Sequence, residues 1–325
     1  MTPTGWFQVA WSSEIGTGQV HRMTYFGRDM VAWRAQSGRL TVMDAYCEHL
    51  GAHLGYGGHV ERGEDGDVIQ CPFHGWQWDA EGRNVCIPYE PRPNRGRRMR
   101  TYPVTERNES AYIWFDLNGR EPHFEVPDIF GDFDDVRTAA DYYPQQRLYR
   151  PGERLHPQYV LENGVDFAHF KFVHKTPIVP LFTRHDFSRP TSYVDFTITF
   201  EGDTGQSIND ITSGVEAING GLGVAVTKSW GMVDNRTISA ITPVDETTCD
   251  VRFMVYIGRV PGEDSPKTQA RAEAFGQMVI DQFAADIEIW SHQRYRDTPA
   301  LAPSESESFL EFRTWAAQFY PDAAQ

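Results

Sequence analysis

The feature that most constrains this chain is a pair of short Cys/His motifs. Cys47 precedes His49 by two positions, and Cys71 precedes His74 by three. Each motif offers one thiolate and one imidazole from a tight turn. Two such turns lying side by side supply two sulfur and two nitrogen ligands to one metal centre. The chain is therefore expected to fold so that the two turns meet.

Two kinds of centre use this ligand set, a closed tetrahedral zinc site and a Rieske-type [2Fe–2S] cluster. A zinc finger places both His on a short helix after its Cys pair, whereas here each Cys precedes its own His. The segments Leu50–Gly55 and Pro72–Trp76 are apolar and contain Gly. Such loops can cover sulfides and lend them backbone N–H groups. The pattern favours the iron–sulfur cluster.

The other cysteines and the overall charge limit the alternatives. Cys249 opens a strand-like alternation and is predicted to be a core thiol, and Cys86 is assigned no role. The net charge of −15 argues against a nucleic-acid or anionic-membrane partner. No apolar stretch is long enough to span a bilayer, and residues 1–5 lack the basic start of a signal peptide. We expect a soluble, cytoplasmic protein.

Residues 1–120 are predicted to form an all-β domain that displays the two Cys/His motifs on loops. Short strand patterns bounded by turn residues occur at Trp6–Trp11, Val20–Phe26, Met30–Trp33, Leu40–Asp44 and Ser110–Asp116. Residues 121–150 are rich in Pro and Asp, which is typical of a linker into a second domain, 121–325. The five Arg between 92 and 100 are either a solvated loop or a docking surface for an acidic electron-donor protein.

The second domain carries a candidate metal motif between Glu162 and His174. If this stretch is helical, Asp166 and His169 share a face, because residues three apart are neighbours on a helix. His174 lies about 140° round an ideal helix from His169, so the helix has to loosen or end before both imidazoles can bind one metal. The segment Lys175-Thr176-Pro177 supplies that ending.

A long helix further along supplies a third candidate ligand. Ser265-Pro266 is a typical helix start, and it follows strand patterns at 194–200, 222–232, 236–242 and 249–257. Asp286 falls within the apolar stripe of this helix, whose members are Phe275, Val279, Phe283 and Trp290. An isolated buried carboxylate costs several kcal/mol unless it is paired or bound to metal. With His169 and His174 it makes a 2-His-1-carboxylate set for mononuclear Fe(II), and the alternative is a buried Asp held by an Arg or Tyr.

Taken together, these motifs resemble one enzyme family. CxH at 47–49 with CPFHGWQWD at 71–79 is similar to the cluster-binding region of the Rieske ring-hydroxylating oxygenases. Dx₂Hx₄H at 166–174 with DIEIW at 286–290 is similar to their catalytic domain. The closest likeness is to the branch that contains the 3-ketosteroid 9α-hydroxylase oxygenase components. It implies an α+β fold, with a Rieske domain at 1–120 and, at 121–325, a helix-grip (START-like) catalytic domain with an antiparallel sheet and a long C-terminal helix.

The resemblance also implies roles for individual residues. In that family the thiolates bind the buried ferric ion of the cluster, which would be Cys47 and Cys71, and the imidazoles bind the outer iron, which would be His49 and His74. Asn163 and Asp166 fall in the catalytic motif. The Asp166 carboxylate would bridge His74 of one subunit to His169 of the next in a head-to-tail homotrimer.

The activity that the resemblance implies is that of a terminal monooxygenase. It would carry one [2Fe–2S] cluster and one mononuclear Fe(II), and it would use O₂ and electrons from a separate NADH-linked flavin/iron–sulfur reductase or ferredoxin. The substrate would be steroid-like or another polycyclic hydrophobic molecule. Several alternatives stay open: a small aromatic substrate, desaturation or demethylation, an electron carrier or redox sensor without oxygenase activity, and a zinc-stabilised interaction protein.

The substrate pocket is the least constrained part of the site. Val226, Trp230 and Trp290 are candidate pocket residues, near small residues at 220–223. The alternative is that all three belong to the core of the sheet. Lys171 stands where the steroid-hydroxylase branch usually has an aromatic residue.

Overall fold

The computed structural model describes residues 2–176, 179–200, 211–231, 233–262 and 265–321. The chain divides into two compact units. One unit comprises Phe7–Pro122 with Val244–Glu246, and the other comprises Met1–Trp6, His123–Pro243 and Thr247–Gln325. The sequence predicted a boundary between residues 120 and 121. It did not predict that Met1–Trp6 belongs to the C-terminal unit, or that Val244–Glu246 belongs to the N-terminal one. No helix in the described ranges is long and apolar enough to cross a lipid bilayer.

The first unit is built from eleven short strands in three sheets. The sheet orders are β1-β11-β10, β2-β3-β4-β9 and β5-β6-β7-β8. The strands are β1 Gly5–Trp11, β2 Val20–Tyr25, β3 Arg28–Arg34, β4 Leu40–Asp44, β5 His59–Arg62, β6 Asp67–Gln70, β7 Gln77–Trp78, β8 Asn84–Cys86, β9 Thr101–Tyr102, β10 Val104–Arg107 and β11 Ser110–Phe115. The all-β character of this part of the chain is as predicted.

One of the hydrophobic clusters of this unit lies under the Cys/His loops. It contains both cysteines together with Trp33, Leu54 and Trp78, all of them almost fully buried. The loops that carry the motifs are therefore held by side chains of the core. This packing fixes the position of the two sulfur atoms relative to each other.

In the described residues of the second unit, seven strands form an antiparallel sheet, in the order β12-β18-β17-β16-β15-β14-β13. The strands are β12 Gln146–Glu153, β13 Leu181–Asp186, β14 Thr191–Phe200, β15 Ile211–Gly220, β16 Val224–Trp230, β17 Asn235–Pro243 and β18 Cys249–Ile257. The helices are α1 Pro157–Glu162, α2 Ala168–Phe172, α3 Pro266–Trp290 and α4 Ser306–Ala317. Residue 232, which ended one of the predicted strands, lies outside the described residues.

The long predicted helix is α3, and it begins where the sequence indicated. The Ser265 side chain accepts a hydrogen bond from the Thr268 N–H, and Pro266 occupies the first helical position. The helix packs on β18 and β12 through buried residues that include Ile280, Ile287 and Trp290. Its buried charged residue is Asp286.

A second C-terminal helix, α4, was not predicted as a separate element. It buries Phe312 and Trp315 against α1 and the short 3-10 turn Asn163–Val165 that follows it. The cluster also contains Leu161 and Val165. This packing supports the segment that leads into the His169/His174 motif.

Candidate metal centres

The two Cys/His loops have the same main-chain hydrogen-bond pattern. The Cys47 N–H donates to the Ala52 carbonyl at 2.9 Å, and the Cys71 N–H donates to the Trp76 carbonyl at 2.8 Å. In each loop a glycine four residues after the Cys closes a turn by donating to the Cys carbonyl, and both glycines have positive φ: Gly51 at 75° and Gly75 at 71°. A glycine is needed there because that conformation is strained for other residues.

These loops bring the four predicted cluster ligands together. Cys47 and Cys71 are each 2% exposed, and their sulfur atoms are hydrogen-bonded to each other. The His49 and His74 rings lie 4.7 Å apart between centroids, and His49 stacks on Trp76 at 4.3 Å. Two sulfurs therefore lie on the buried side of the site and two imidazoles on its outer side.

The electrostatics of the site favour an ionised sulfur at Cys71 and a protonated one at Cys47. Hydrogen bonds from the Cys47 thiol and from the backbone N–H groups of Phe73 and His74 lower the pKa of Cys71 to about 6. The shared hydrogen bond and burial raise the pKa of the Cys47 thiol. Backbone N–H groups directed at sulfur are the donors that a cluster-bound thiolate needs.

The donor set fits a two-sulfur, two-nitrogen iron–sulfur cluster. The Nδ1 atom of His74 is buried and has no hydrogen-bond partner in the part of the chain that the structure describes. A buried polar atom without a partner is costly, and a metal bond relieves that cost. The fit is therefore supported by an atom that the polypeptide itself leaves unsatisfied.

The second candidate centre begins with a broken helix. α1 ends at Glu162, Asn163–Val165 form the 3-10 turn, and Asp166 then leaves the helical region with φ −90° and ψ 90°. α2 ends at Phe172, and Lys175 has a φ of 61°. The helix thus breaks before His169 and ends before His174, as the geometry of two imidazoles on one metal requires. Pro177, part of the predicted stop, lies outside the described residues.

His169, His174 and Asp286 each offer a ligand atom, and these atoms all lie within 4.8 Å of one another. His174 Nε2 is 3.2 Å from Asp286 Oδ2. The rings of His169 and His174 are edge-to-face with centroids 5.0 Å apart. Two imidazoles and one carboxylate at this spacing can bind one face of an iron ion and leave its other positions open.

The contacts of His169 define its tautomer. Nδ1 donates to the main-chain carbonyl of Asp166, and Nε2 accepts a hydrogen bond from the Asn163 side-chain amide N–H at 3.1 Å. Burial lowers the pKa of His169, so its ring is neutral near pH 7. In this tautomer the lone pair is on Nε2; it accepts from Asn163 here, and it is the lone pair that a metal would take in place of that hydrogen bond.

The structure corrects one detail of the predicted role of Asp166. Its carboxylate was expected to hydrogen-bond the His169 imidazole, but the Nδ1 contact is made by the Asp166 main-chain carbonyl. The Oδ1 atom instead accepts from the His169 backbone N–H at 3.3 Å. The reason is the chain break at Asp166, which turns its carbonyl towards the ring and leaves the carboxylate to cap the start of α2.

Of the predicted pocket residues, Val226 and Trp230 do not lie on the metal side of the sheet. The register pairs Val226 with Ile218 and Ile238, on the face opposite to that of Ile241, which packs against α3. Trp230 is on the same face as Val226, because side chains of a strand alternate. The alternation along a strand predicts which residues share a face. It does not predict which face the helices cover, and this is why the two residues were placed wrongly.

Trp290 lies in the hydrophobic core, and Lys171 lies on the surface. Trp290 is 5% exposed in the core between α3 and the sheet, with its ring 5.8 Å from that of Phe283. Lys171 is exposed on α2.

Sequence reasoning missed an ion pair that supports the second centre. Arg313 on α4 donates to both carboxylate oxygens of Glu162, at 2.5 and 3.2 Å. Glu162 is 5% exposed, and it is next to Asn163. The sequence contained one indication of a buried ion pair, which is a Glu in an otherwise apolar helical segment. It did not indicate which residue is the partner of that Glu.

Comparison with protein families assigns both halves of the chain. Residues 5–103 match the Rieske [2Fe-2S] domain. Residues 113–320 match the 3-Ketosteroid 9alpha-hydroxylase C-terminal domain. The chain belongs to this family of Rieske oxygenases. It is accordingly the terminal oxygenase component of a Rieske-type system and a Rieske non-haem iron monooxygenase, with one [2Fe–2S] cluster and one mononuclear iron.

Individual relatives of this Rieske oxygenase agree with the assignment. It is 28% identical to a 3-ketosteroid-9-alpha-monooxygenase, oxygenase component, of Rhodococcus rhodochrous, over 98% of this chain and 84% of that protein. It is also 28% identical to the cholesterol 7-desaturase of Caenorhabditis elegans, over 98% of this chain and 77% of that protein.

Solved structures show that the fold is shared. Dicamba monooxygenase bound to 3,6 dichlorosalicylic acid superposes with a TM-score of 0.65 at 17% identity, covering 97% of this chain and 96% of that one. NdmA of Pseudomonas putida CBB5 with caffeine gives 0.64 at 18% identity, covering 96% and 89%. The α+β prediction is confirmed.

Proposed function

We propose that this Rieske oxygenase hydroxylates a steroid-like or other polycyclic hydrophobic substrate. The observation that carries the proposal is the convergence of His169, His174 and Asp286 within 4.8 Å of one another. The buried Asp286 carboxylate on α3 lies 3.2 Å from His174 Nε2, and no Lys or Arg among the described residues pairs with it. The relatives of this chain include proteins named as 3-ketosteroid-9-alpha-monooxygenases, and a steroid is therefore the proposed substrate.

In this proposal the two centres use the residues that the sequence indicated. Cys47, Cys71, His49 and His74 hold the cluster. His169, His174 and Asp286 hold the mononuclear iron. When bound, the cluster stores one electron and the iron activates O₂.

The chain itself positions these groups. The main-chain carbonyl of Asp166 fixes the His169 tautomer, so that Nε2 stays unprotonated. The Asn163 amide lies 3.1 Å from that same nitrogen, where it limits rotation of the ring. The Phe170 ring, 4.1 Å from the His169 ring, keeps one side of the site apolar. These contacts orient the imidazole and restrict the access of water.

Electrons are proposed to come from a separate NADH-linked reductase or ferredoxin. The assembly is proposed to be a head-to-tail homotrimer in which Asp166 reaches His74 of the neighbouring subunit. Oδ1 of Asp166 accepts from the His169 N–H, and within the described part of the chain Oδ2 makes no hydrogen bond, which is compatible with that role. A location in the cytoplasm stays a prediction.

Desaturation is the second candidate reaction. It is favoured by relatives named as cholesterol 7-desaturases, including that of Caenorhabditis elegans. Both reactions would use the same two metal centres, so product analysis distinguishes them. A hydroxylated product supports the first proposal, and a new double bond supports the second.

Metal analysis of one variant tests the iron site. The purified protein is expected to contain about three irons per chain, two in the cluster and one at the mononuclear site. Asp286→Ala should lose about one iron and all oxygenase activity, while its cluster absorption stays unchanged. Asp281→Ala is the matched control, because Asp281 is an exposed carboxylate on the same helix. Full iron content in Asp286→Ala would refute the assignment.

A further inference from the structure

Trp78 on β7 is fully buried, yet the polar atom of its ring has no ordinary partner. The side chain is 0% exposed, and it lies in the hydrophobic cluster that contains Cys47 and Cys71. Within the described residues no oxygen or nitrogen atom accepts a hydrogen bond from its Nε1. A buried N–H group without such an acceptor is costly, so a residue that keeps one in the core calls for an explanation.

The strand and its neighbours fix the direction of this N–H group. Trp78 pairs with Ile69 of β6 and with Asn84 of β8. Its ring centroid lies 5.9 Å from that of Trp76, the residue that stacks on His49. The indole is therefore held rigidly beside the two Cys/His loops.

The group that the Trp78 N–H approaches is the sulfur of Cys47. A neutral thiol is a weak acceptor, so it satisfies this donor only in part. A thiolate is a better acceptor, because hydrogen bonds to an ionised group are shorter and stronger than those to a neutral one. When Cys47 binds iron as a thiolate, it becomes the acceptor that the Trp78 N–H otherwise lacks.

The two cysteines differ in the donors that surround them. The main donors to Cys71, apart from the other cysteine, are the backbone N–H groups of Phe73 and His74. The main donors to Cys47 are one backbone N–H, that of His49, and one side chain, that of Trp78. This difference accompanies the shorter spacing of the first motif, in which His49 follows its Cys by two positions instead of three. Trp78 thus takes the place that a second backbone N–H takes at Cys71.

We propose that the Trp78 indole N–H donates a hydrogen bond to the Cys47 thiolate and thereby raises the reduction potential of the [2Fe–2S] cluster. This rests on the proposed function, because it requires Cys47 to be a cluster ligand. Reduction adds one negative charge to the cluster, and the sulfur atoms share that charge. A donor to sulfur therefore stabilises the reduced cluster more than the oxidised one.

The role of Trp78 is that of a positioning residue, which acts on the cluster through Cys47. In the step that it favours, the cluster gains one electron and the electron-donor protein loses one. No bond forms or breaks, and the indole keeps its proton. A higher potential makes the cluster a better acceptor for that electron.

The test measures the reduction potential of the cluster in the purified holoprotein, without substrate or reductase. Redox titration is followed by the electron paramagnetic resonance signal of the reduced cluster. Trp78→Phe removes the N–H but also leaves a smaller ring in the core. A second variant, Trp78→benzothienylalanine, replaces the ring nitrogen by sulfur and keeps the shape of the indole.

The matched control is Trp33→Phe. Trp33 on β3 is also 0% exposed and belongs to the same hydrophobic cluster. Its Nε1 is likewise buried, and among the described residues it donates to neither cysteine. The substitution therefore makes the same change in the same core without removing a donor to sulfur.

We expect both Trp78 variants to hold the cluster at a lower potential than the wild type. At a fixed applied potential the ratio of reduced to oxidised cluster should fall by about tenfold, which is about 59 mV for a one-electron couple. Trp33→Phe should have the potential of the wild type. If Trp78→Phe does not fold, the benzothienylalanine variant decides alone.

Three results would overturn the proposal for Trp78. They are an unchanged potential in the benzothienylalanine variant, a raised potential in it, and an equal shift in Trp33→Phe, which would make core packing the cause.

Cys47→Ala tests the ligand assignment separately. If this variant keeps an intact cluster, Cys47 is not a ligand, and both the assignment and the role of Trp78 are wrong. If it lacks the cluster while the Trp78 variants keep the wild-type potential, the assignment stands and only the role of Trp78 is wrong. Neither result depends on the identity of the substrate.

Discussion

At the scale of single residues, the position of Asp286 carries the most information. It is 6% exposed on a helix whose other three carboxylates, at 273, 281 and 288, are exposed. Removing a carboxylate from water costs several kcal/mol of free energy. An ionic partner or a bound metal offsets that cost. Its nearest ionic partner is His174, at 3.2 Å. The residue is therefore informative because it violates the amphipathic pattern of its own helix.

Asp166 allows a second residue-level prediction. Asp166→Ala should retain both metal centres, because the His169 tautomer is set by the main-chain carbonyl, which the substitution keeps. Turnover should nevertheless fall by about 100-fold, because the variant lacks the carboxylate that is proposed to connect the cluster of one subunit to the mononuclear iron of the next. Metal content, cluster absorption and product formation are measured together.

The control for Asp166→Ala is Asp186→Ala. Asp186 also accepts a hydrogen bond from a backbone N–H, that of Ser188 at 2.9 Å, but it lies outside the proposed site. Loss of a capping carboxylate alone should leave turnover close to wild type. An Asp166→Ala protein with full activity would remove the carboxylate from the mechanism.

At the scale of elements, the segment from α1 to α2 depends on α4. Every residue of α1 is buried, and Glu162 at its end is held by Arg313 of α4. The 3-10 turn that follows contains Asn163, whose amide faces His169. A displacement of α1 would thus move the contacts that orient a proposed iron ligand.

Breaking this ion pair should affect both stability and metal binding. Arg313→Met leaves the Glu162 carboxylate buried without its partner, and we expect a loss of about 2 kcal/mol in the free energy of unfolding, less than for a fully buried pair. Mononuclear iron content should fall while the cluster absorption is retained. Denaturant titration and metal analysis measure the two effects.

The double variant Glu162→Gln/Arg313→Met is the control for Arg313→Met. It removes the uncompensated charge, so part of the lost stability should return. If the double variant is no more stable than Arg313→Met, charge burial is not the cause. Unchanged stability in Arg313→Met itself would mean that packing of α4, and not the ion pair, holds α1.

At the scale of the whole molecule, the distribution of charge is uneven. The net charge is −15, yet all five Arg between 92 and 100 are exposed in one loop. Arg97 lies 3.7 Å from Glu48, which stands between the predicted cluster ligands Cys47 and His49. A basic loop beside the cluster in an acidic protein suits an acidic electron donor.

Neutralising part of this loop should slow reduction of the cluster. For Arg92→Gln/Arg95→Gln/Arg97→Gln we expect a reduction rate by a plant-type ferredoxin about tenfold lower at low salt, with a weaker dependence on ionic strength. Stopped-flow absorption measures the rate. The corresponding triple Lys variant keeps the charge and should resemble wild type. Equal rates in all three proteins would mean that the loop is only solvated.

Much of the architecture could be predicted because it rests on local chemistry. The spacing of Cys47, His49, Cys71 and His74 indicates a metal centre, and the Ser265-Pro266 start with the apolar stripe indicates α3. Asp286 stands out for the same reason, since the periodicity of a helix places each residue on a definite face. These are relations between residues close in sequence.

Tertiary structure decided what depends on residues far apart in sequence. The period of two along β16 groups Val226 with Trp230, but only packing against α3 and α1 determined that their face points away from the iron site. The partner of Glu162 lies 151 positions away, so only the folded chain brings the two side chains together. A local pattern defines which side chains share a surface, and long-range packing determines what that surface meets.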